Sequence, residues 1–184
     1  MIAALRRAGN ERWPYLAVLL GVVCLDRASK WLVDRTLTLH ESHPVIEGWL
    51  SLTYVRNRGA VFGILSQADL PFQPALLAVV GILALGAIVA YSASLPIARR
   101  LPQTGLALVT GGAIGNLLDR AAFGYVIDFV DVFWGRHHWP AFNLADSAIS
   151  VGVGLLLLDL FRGSDPTTAG DAAVSEATPT GRSD

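Results

Sequence analysis

The feature that most constrains the fold is an uncharged apolar run in the middle of the chain, LLAVVGILALGAIVAYSASL, at residues 76–95. A helix of roughly 20 apolar residues matches the hydrocarbon thickness of a bilayer. This run has no polar face that a soluble protein would turn to water. Charged residues form only 16% of the chain, whereas soluble domains contain about 25%. We therefore expect an integral membrane protein.

Three further apolar stretches accompany this run, and each is long enough to approach a membrane span. Proline at the start of a stretch is compatible with a first helical turn, as expected for Pro14. Gly111 and Gly115 form a small-xxx-small step that lets a second helix pack closely. We predict an all-α membrane protein, a four-transmembrane-helix bundle, with spans near Pro14–Val33, Pro74–Leu95, Pro102–Leu118 and Pro140–Phe161.

Arginine placement predicts the orientation of the bundle, because cytoplasmic connections of membrane proteins are enriched in Lys and Arg. We expect both termini and the connection 96–101 to be cytoplasmic, and the connections 34–73 and 119–139 to face outward. The arginines that carry this prediction are Arg6, Arg7, Arg12, Arg99, Arg100 and Arg162.

The segments outside the spans differ in composition. Residues 44–65 are rich in Val, Thr, Tyr and Trp, which predicts a small β-rich subdomain on the outer face. Residues 125–134 are expected to add a strand or a loop. Residues 163–184 are rich in small, polar and acidic residues, and we expect a disordered tail. The predicted organisation is a cytoplasmic tail at 1–13, a membrane domain at 14–162 and this second tail.

Polar residues gather at one predicted depth, in the outer halves of three spans. Within each group the other members follow the first by three or four residues, which predicts one shared helix face. Ionisable groups in a membrane are costly and usually face a shared interior, where they mark function. Ion pairs that only stabilise the bundle are an open alternative. The groups are Asp26 with Lys30, Asn116 with Asp119 and Arg120, and Asn143 with Asp146.

Several carboxylates at one depth favour paired-aspartate chemistry, in which two carboxyls share one proton and activate water against an amide. Asp146 is the stronger candidate, and its partner is Asp119, Asp128 or Asp131. We expect Arg120, the neighbour of Asp119, to hold that carboxylate ionised in a structural pair. Apolar neighbours in VIDFV should raise the pKa of Asp128, which favours it slightly over Asp131.

Competing functions have weaker support. Ser29 and Lys30 are adjacent, so on a helix they point in different directions and do not form a serine–lysine pair. A transporter should carry polar residues towards both membrane faces, whereas here they stop halfway. The net charge of −1 comes with no basic stripe for nucleic acid. Zinc is conceivable, but no H-E-x-x-H motif is present among the histidines His40, His43, His137 and His138.

Five motifs in order give the chain a family resemblance. They are DRASK at 26–30, NRGAVFG at 57–63, GGAIGNLLDR at 111–120, VIDFV at 126–130 and PAFNLADSAI at 140–149. Together they resemble the lipoprotein signal peptidases, or signal peptidase II family. The resemblance implies an aspartic endopeptidase with Asp128 and Asp146 as its catalytic pair. It also implies supporting or substrate-binding roles for Asp26, Lys30, Asn57, Asn116, Asp119, Arg120 and Asn143.

The same resemblance implies a reaction and a location. The expected reaction is cleavage before a diacylglyceryl-cysteine, which releases the signal peptide of a lipid-modified prolipoprotein. The expected location is a bacterial inner membrane, with the active site towards the outer leaflet. No metal and no organic cofactor are expected. The expected partners are lipid-modified prolipoprotein signal peptides and membrane lipids, but not nucleic acid, and the protein is expected to be a monomer.

Overall fold

The computed structural model describes residues 2–59 and 73–163, with side chains for residues 12–59 and 75–163. The described chain is mostly helical and contains one small antiparallel sheet. Its elements in chain order are α1 (Ile2–Thr36), β1 (Ser42–Ile46), β2 (Leu50–Asn57), α2 (Gln73–Ser94), α3 (Arg100–Phe123), β3 (Val126–Trp134), β4 (His137–His138) and α4 (Leu144–Arg162).

Helix α3 lies at the centre of the bundle and packs against α1, α2 and α4. Glycines bring its backbone close to its neighbours. A Cβ atom on Gly112 would lie 2.4 Å from the Ala145 carbonyl oxygen of α4, and one on Gly111 would lie 2.9 Å from the Leu19 carbonyl oxygen of α1. The close helix packing predicted for Gly111 and Gly115 is therefore confirmed, with α1 as the partner helix.

The sheet has the strand order β1-β2-β3-β4, so β2 of the 34–73 connection pairs with β1 on one side and with β3, which follows α3, on the other. One face of the sheet packs against the end of α1 through a core of Val33, Tyr54, Ile127 and Phe129. Successive strand residues face opposite sides, so Asp128 points away from this core. The predicted sheet at 44–65 is confirmed up to Asn57, and residues 60–65 lie outside the described chain.

Two predicted helix boundaries are wrong. Helix α1 begins at Ile2 and contains Pro14 in its interior, because the residues before the proline include several strong helix formers and continue the helix. The predicted tail at 1–13 is therefore helical from Ile2. Helix α4 begins at Leu144 instead of Pro140, because Phe142 forms a β-bridge with Val130 and keeps this segment extended. The predicted disordered tail falls outside the described residues from 164 onward.

Among the described residues, two helices are long and apolar enough to cross a membrane by length and composition, at Ala75–Ser94 and Leu144–Arg162. The other two long helices contain the charged groups of the bundle interior, including Asp26, Lys30 and Asp119, all with no exposed surface. A criterion based on composition counts these charges even when they are buried inside the bundle, so it does not select these two helices.

The packing of α3 on α4 can be tested with two glycines of α4 that lie close together. A Cβ atom on Gly152 would lie 2.6 Å from the Gly105 carbonyl oxygen, whereas one on Gly154 would meet nothing within 4 Å. Gly152→Ala should lower the free energy of unfolding by roughly 1–3 kcal/mol, as overpacking does. Gly154→Ala should change it by less than about 1 kcal/mol. Thermal unfolding in detergent measures both, and equal unfolding midpoints would contradict this packing.

Candidate active site

Asp146 is positioned by the N-terminus of α4. The Asn143 side-chain oxygen accepts a hydrogen bond from the Asp146 backbone N–H at 3.0 Å, and the Asp146 carboxylate accepts one from the Asn143 backbone N–H at 3.2 Å. This reciprocal pair is a capping box, which satisfies N–H groups that have no partner within the helix. The carboxyl of Asp146 is thereby held within the first turn of α4.

Asp128 lies on strand β3, which brings its carboxyl to the same site as that of Asp146. Helix α3 ends at Phe123 and is followed by Gly124, whose φ of 76° lies in the left-handed region that glycine adopts without strain. The chain then reverses into β3. Asp128 is opposite Val55 in the register between β2 and β3, and Asn57 is opposite Val126. Asn57 therefore shares a sheet face with Asp128, and its amide nitrogen donates to Asp128 Oδ2 at 3.0 Å.

Two buried asparagines connect the two aspartates. The Asn143 amide nitrogen donates to Asp128 Oδ1 at 2.7 Å. The Asn116 amide nitrogen donates to Asp146 Oδ1 at 2.8 Å. The two amides also meet, with Asn143 Nδ2 3.2 Å from Asn116 Oδ1. Each carboxyl therefore receives a hydrogen bond from an amide, and the two amides fix the carboxyls relative to one another.

A cluster of charged residues lies next to these amides. Lys30 Nζ is 2.9 Å from Asp26 Oδ2 and 2.9 Å from Asp119 Oδ2. Arg27 forms an ion pair with the other oxygen of Asp119. Backbone N–H groups complete the cluster, with Ala145 donating to Asp26 and Ile127 to Asp119. Two cations therefore balance two carboxylates, which makes burial of these charges tolerable.

Arg120 contacts backbone oxygens. Its guanidinium donates to the Asn116 carbonyl at 3.3 Å and to the Gly59 carbonyl at 3.2 Å. The expected ion pair between Arg120 and its neighbour Asp119 does not form. The reason is that adjacent residues of an α-helix point about 100° apart, so Asp119 faces α1 while Arg120 faces the loop that follows β2.

Asp128 and Asp146 both line a cavity of about 510 Å³. Leu77 and Gly81 of α2 form part of its wall, and Ile149 and Val151 of α4 form another part. Polar groups converge on this mostly apolar space, as in a typical small-molecule or peptide site. The polar side chains that line it belong to Asn57, Asn116, Arg120, Asp128, Asp146, Ser147 and Ser150.

The two carboxyls have different surroundings. Asp128 is only 2% exposed, whereas Asp146 is partly exposed. Burial, followed by repulsion from the negative charge of Asp146, raises the pKa of Asp128 to about 7. The hydrogen bonds from Asn57 and Asn143 oppose this rise because they stabilise the carboxylate. Near neutral pH, Asp128 is thus present in both protonated and ionised forms.

The structure separates the three candidate partners of Asp146. Asp128 lines the same cavity. Asp119 is bound by Arg27 and Lys30 and does not line the cavity. Asp131 contacts His138 Nδ1 at 3.0 Å near the end of the sheet. Of the three, Asp128 is therefore the one that shares a cavity with Asp146, and it is the residue that the sequence slightly favoured over Asp131.

Sequence reasoning overlooked part of the charged cluster. Arg27 was not predicted as a member of this cluster, although it neutralises one oxygen of Asp119. Its proximity to Asp26 and Lys30 in DRASK was the available signal. The backbone contacts from Ala145 and Ile127 have no side-chain signature. The hydroxyl of Ser29 donates to the Asp26 carbonyl at 2.9 Å, so it does not contact Lys30.

Comparison with known proteins identifies relatives of the chain. The family model described as signal peptidase (SPase) II matches residues 18–162. The lipoprotein signal peptidase of Geobacter sulfurreducens is 50% identical over 146 residues, which cover 79% of this chain and 90% of that protein. The lipoprotein signal peptidase of Syntrophus aciditrophicus is 47% identical over 141 residues, covering 77% of this chain and 88% of that protein.

A solved structure is also similar. It is described as a bacterial membrane enzyme determined by the in meso method at 2.3 Å resolution. Its TM-score is 0.73 at 28% identity, and the match covers 91% of this chain and 94% of the solved chain. The arrangement of helices and sheet is therefore shared with an experimentally determined protein.

The raised pKa of Asp128 can be measured directly. Infrared difference spectroscopy should show a protonated carboxyl band that disappears with a midpoint near pH 7, and the band should be absent from Asp128→Asn. In Asp146→Asn the midpoint should move to lower pH, because repulsion from the second carboxylate is removed. A wild-type midpoint near the ordinary aspartate value of about 4 would contradict the burial of Asp128.

Proposed function

The chain belongs to the signal peptidase II family, and on this premise we propose that Asp128 and Asp146 are its catalytic pair. The family assignment makes the chain a peptidase that removes signal peptides from prolipoproteins. The observation that supports the pair is that two carboxyls from different elements line one cavity, each bound by the amide of a buried asparagine.

We assign different roles to the two carboxyls. Asp146 lies in the first turn of α4, where the positive end of the helix dipole favours negative charge. As the ionised partner, it takes a proton from the water that attacks the scissile carbonyl. Asp128 is the buried partner, and near neutral pH it retains a proton that it can give to the leaving amine. After cleavage, the proton taken by Asp146 and the one given by Asp128 are exchanged with solvent.

We further propose that all four long helices cross the membrane. The outer surface of the bundle supports this, since Leu25, Leu83 and Phe161 are 61%, 69% and 74% exposed. Asp26, Lys30 and Asp119 of the cluster are instead completely hidden. An apolar outside around a charged inside is the arrangement that lipid favours. Helix α1, with 35 residues, is about 52 Å long and exceeds the ~30 Å hydrocarbon thickness.

The orientation that we propose follows the arginines. Both termini and the connection between α2 and α3 are cytoplasmic, and the sheet lies on the outer side of the membrane. The membrane domain extends over residues 14–162. The site then opens at the level of the outer leaflet of a bacterial inner membrane. One chain supplies both aspartates, which is consistent with a monomeric enzyme.

The substrate that fits this site is an extended peptide held near the lipid boundary. The cavity lies between α2 and α4, and its wall is mostly apolar. A peptide that loses its helical hydrogen bonds in lipid needs replacement partners, and Asn57, Arg120 and the serines of α4 offer them. A diacylglyceryl group on the substrate cysteine would hold the scissile bond at this depth.

The catalytic pair is tested by amide substitutions, which keep the size of the side chain but cannot exchange a proton. Asp128→Asn and Asp146→Asn should each lower kcat by at least about 100-fold, as loss of acid–base catalysis does. The double variant should be little worse than either single variant, because the pair acts as a unit. Processing of a lipid-modified prolipoprotein in membranes provides the measurement.

Asp131→Asn is the matched control, since Asp131 is on the same strand as Asp128 but contacts His138 near the end of the sheet. This variant should retain kcat within about threefold of wild type. A loss in Asp131→Asn as large as that in Asp128→Asn would transfer the catalytic role away from the cavity. Retained turnover in either cavity variant would rule out the pair.

The lipid on the substrate should determine the rate in a bilayer. Each buried methylene contributes ~0.8 kcal/mol to membrane binding, so the diacylglyceryl chains concentrate the cleavage site at the depth of the aspartates. The same prolipoprotein with and without this group should be compared in bilayers and in detergent. We expect the unmodified form to be processed at least about 10-fold more slowly in bilayers. Equal rates there would exclude selection by depth, without affecting the catalytic pair.

A further inference from the structure

Lys30 is a completely buried cation that has no contact with either proposed catalytic aspartate among the hydrogen bonds and ion pairs described above. Its exposed fraction is 0%. Its Nζ lies 2.9 Å from a carboxylate oxygen of Asp26 and 2.9 Å from one of Asp119, and these two ion pairs are sufficient to neutralise it. The third contact of Nζ is the hydrogen bond that it donates to Asn116 Oδ1, at 3.0 Å. This third contact is not needed for charge balance.

The contact fixes which end of the Asn116 amide faces the cluster. An ammonium group is only a donor, so the amide oxygen must point to Lys30. The amide nitrogen then points the other way, where it donates to Asp146 Oδ1 at 2.8 Å. The orientation of the Asn143 amide does not depend on Lys30, because the Asp146 backbone N–H already fixes its side-chain oxygen.

We propose that Lys30 is a positioning residue, which orients the Asn116 amide so that it donates to Asp146 and keeps this carboxyl as the ionised member of the pair. The inference rests on the proposed catalytic pair and adds to it a residue that assigns the proton. Lys30 acts through Asn116 and does not contact the reacting atoms.

The reversed amide shows why the orientation matters. With Asn116 turned by 180° about its terminal bond, its nitrogen would face Lys30 Nζ and Asn143 Nδ2, so that donors meet donors. Its oxygen would face Asp146 Oδ1, and this contact is favourable only when Asp146 is protonated. Reversal therefore moves the proton to Asp146, which removes the base and leaves Asp128 without the proton that it should donate.

The other charged groups around the pair do not serve this purpose. Asp26, Asp119 and Arg27 form ion pairs with Lys30 or with one another. Arg120 is directed to the backbone oxygens of Asn116 and Gly59, so it does not contact the Asn116 side chain through these bonds. The ammonium of Lys30 is the charged donor to Asn116 Oδ1.

The first test is Lys30→Met, which keeps the length of the side chain and removes the donor. We expect kcat to fall at least about 10-fold while KM changes less than about threefold, since substrate contacts remain. The alkaline limb of the pH–rate profile should also move to higher pH. The positive charge of Lys30 opposes the raised pKa of Asp128, so removal of that charge should raise the pH at which the pair loses its shared proton, whichever carboxyl holds it.

Arg27→Gln is the matched control. It removes the other cation of the cluster and its ion pair with Asp119, but leaves the contact between Lys30 and Asn116. Its unfolding temperature should fall, whereas its kcat and alkaline limb should remain close to those of wild type. If Arg27→Gln lowers kcat as much as Lys30→Met, loss of the cluster explains the effect and the proposal fails.

Lys30→Met leaves two buried carboxylates without their shared cation and is expected to be less stable. The charge-balanced variant Lys30→Met with Asp26→Asn removes one charge of each sign, and it is the version to assay if the single variant does not fold. It should show the same loss of kcat as expected for the single variant. A folded charge-balanced variant with wild-type kcat would overturn the proposal.

A double-mutant cycle tests whether Lys30 acts through Asn116. Asn116→Ala removes the amide, so Lys30→Met should lower kcat by less than about twofold in that background. Independent multiplication of the two losses would overturn the inference. Failure of the inference can be distinguished from failure of the proposed function. If the proposed function is wrong, Asp128→Asn retains turnover. If only the inference is wrong, Asp128→Asn is inactive and the effects of Lys30→Met and Asn116→Ala on kcat multiply independently.

Discussion

Burial of the Lys30 ammonium in the bundle interior sets conditions that much of the site must satisfy. A charge removed from water is tolerated only if opposite charge and hydrogen-bond partners replace the solvent. Asp26 on the same helix and Asp119 on α3 supply the charge, which fixes the rotation of α3 relative to α1. Asn116 lies one turn before Asp119 and is therefore brought within hydrogen-bond distance of the ammonium.

Close packing of backbones makes these contacts possible, because aspartate and asparagine side chains are short. A Cβ atom on Gly115 would lie 2.5 Å from Asp26 Oδ2, and one on Gly112 would lie 2.4 Å from the Ala145 carbonyl. Side chains at these positions would push α1 and α4 away from α3. The carboxylate of Asp26 would then lose the Ala145 backbone N–H that it accepts. Small residues and buried charge are thus parts of one arrangement.

The sequence predicted which residues meet, but not how each one pairs. Spacing along single helices correctly placed Asp26 with Lys30 and Asn116 with Asp119. It could not predict that Asp119 selects Arg27 in place of its neighbour Arg120, because a pairing between helices depends on their relative rotation. The start of α4 was also misplaced, since Pro140 gives a helix-start signal while the bridge between Phe142 and Val130 is a long-range contact. Arg27 had no signal apart from its position in DRASK.

Asn143 joins local folding to the chemistry of the site. Its side-chain oxygen caps α4 and its amide nitrogen donates to Asp128, so the same amide starts the helix that carries one aspartate and holds the other. The orientation needed for the cap is also the one that presents the nitrogen to the carboxyl. Formation of the α4 N-terminus therefore brings the two aspartates into their relative positions, and stability and geometry cannot be varied independently at this residue. Lys30 orients Asn116, whose amide donates to Asp146. Each of the two carboxyls therefore accepts a hydrogen bond from the amide of a different asparagine.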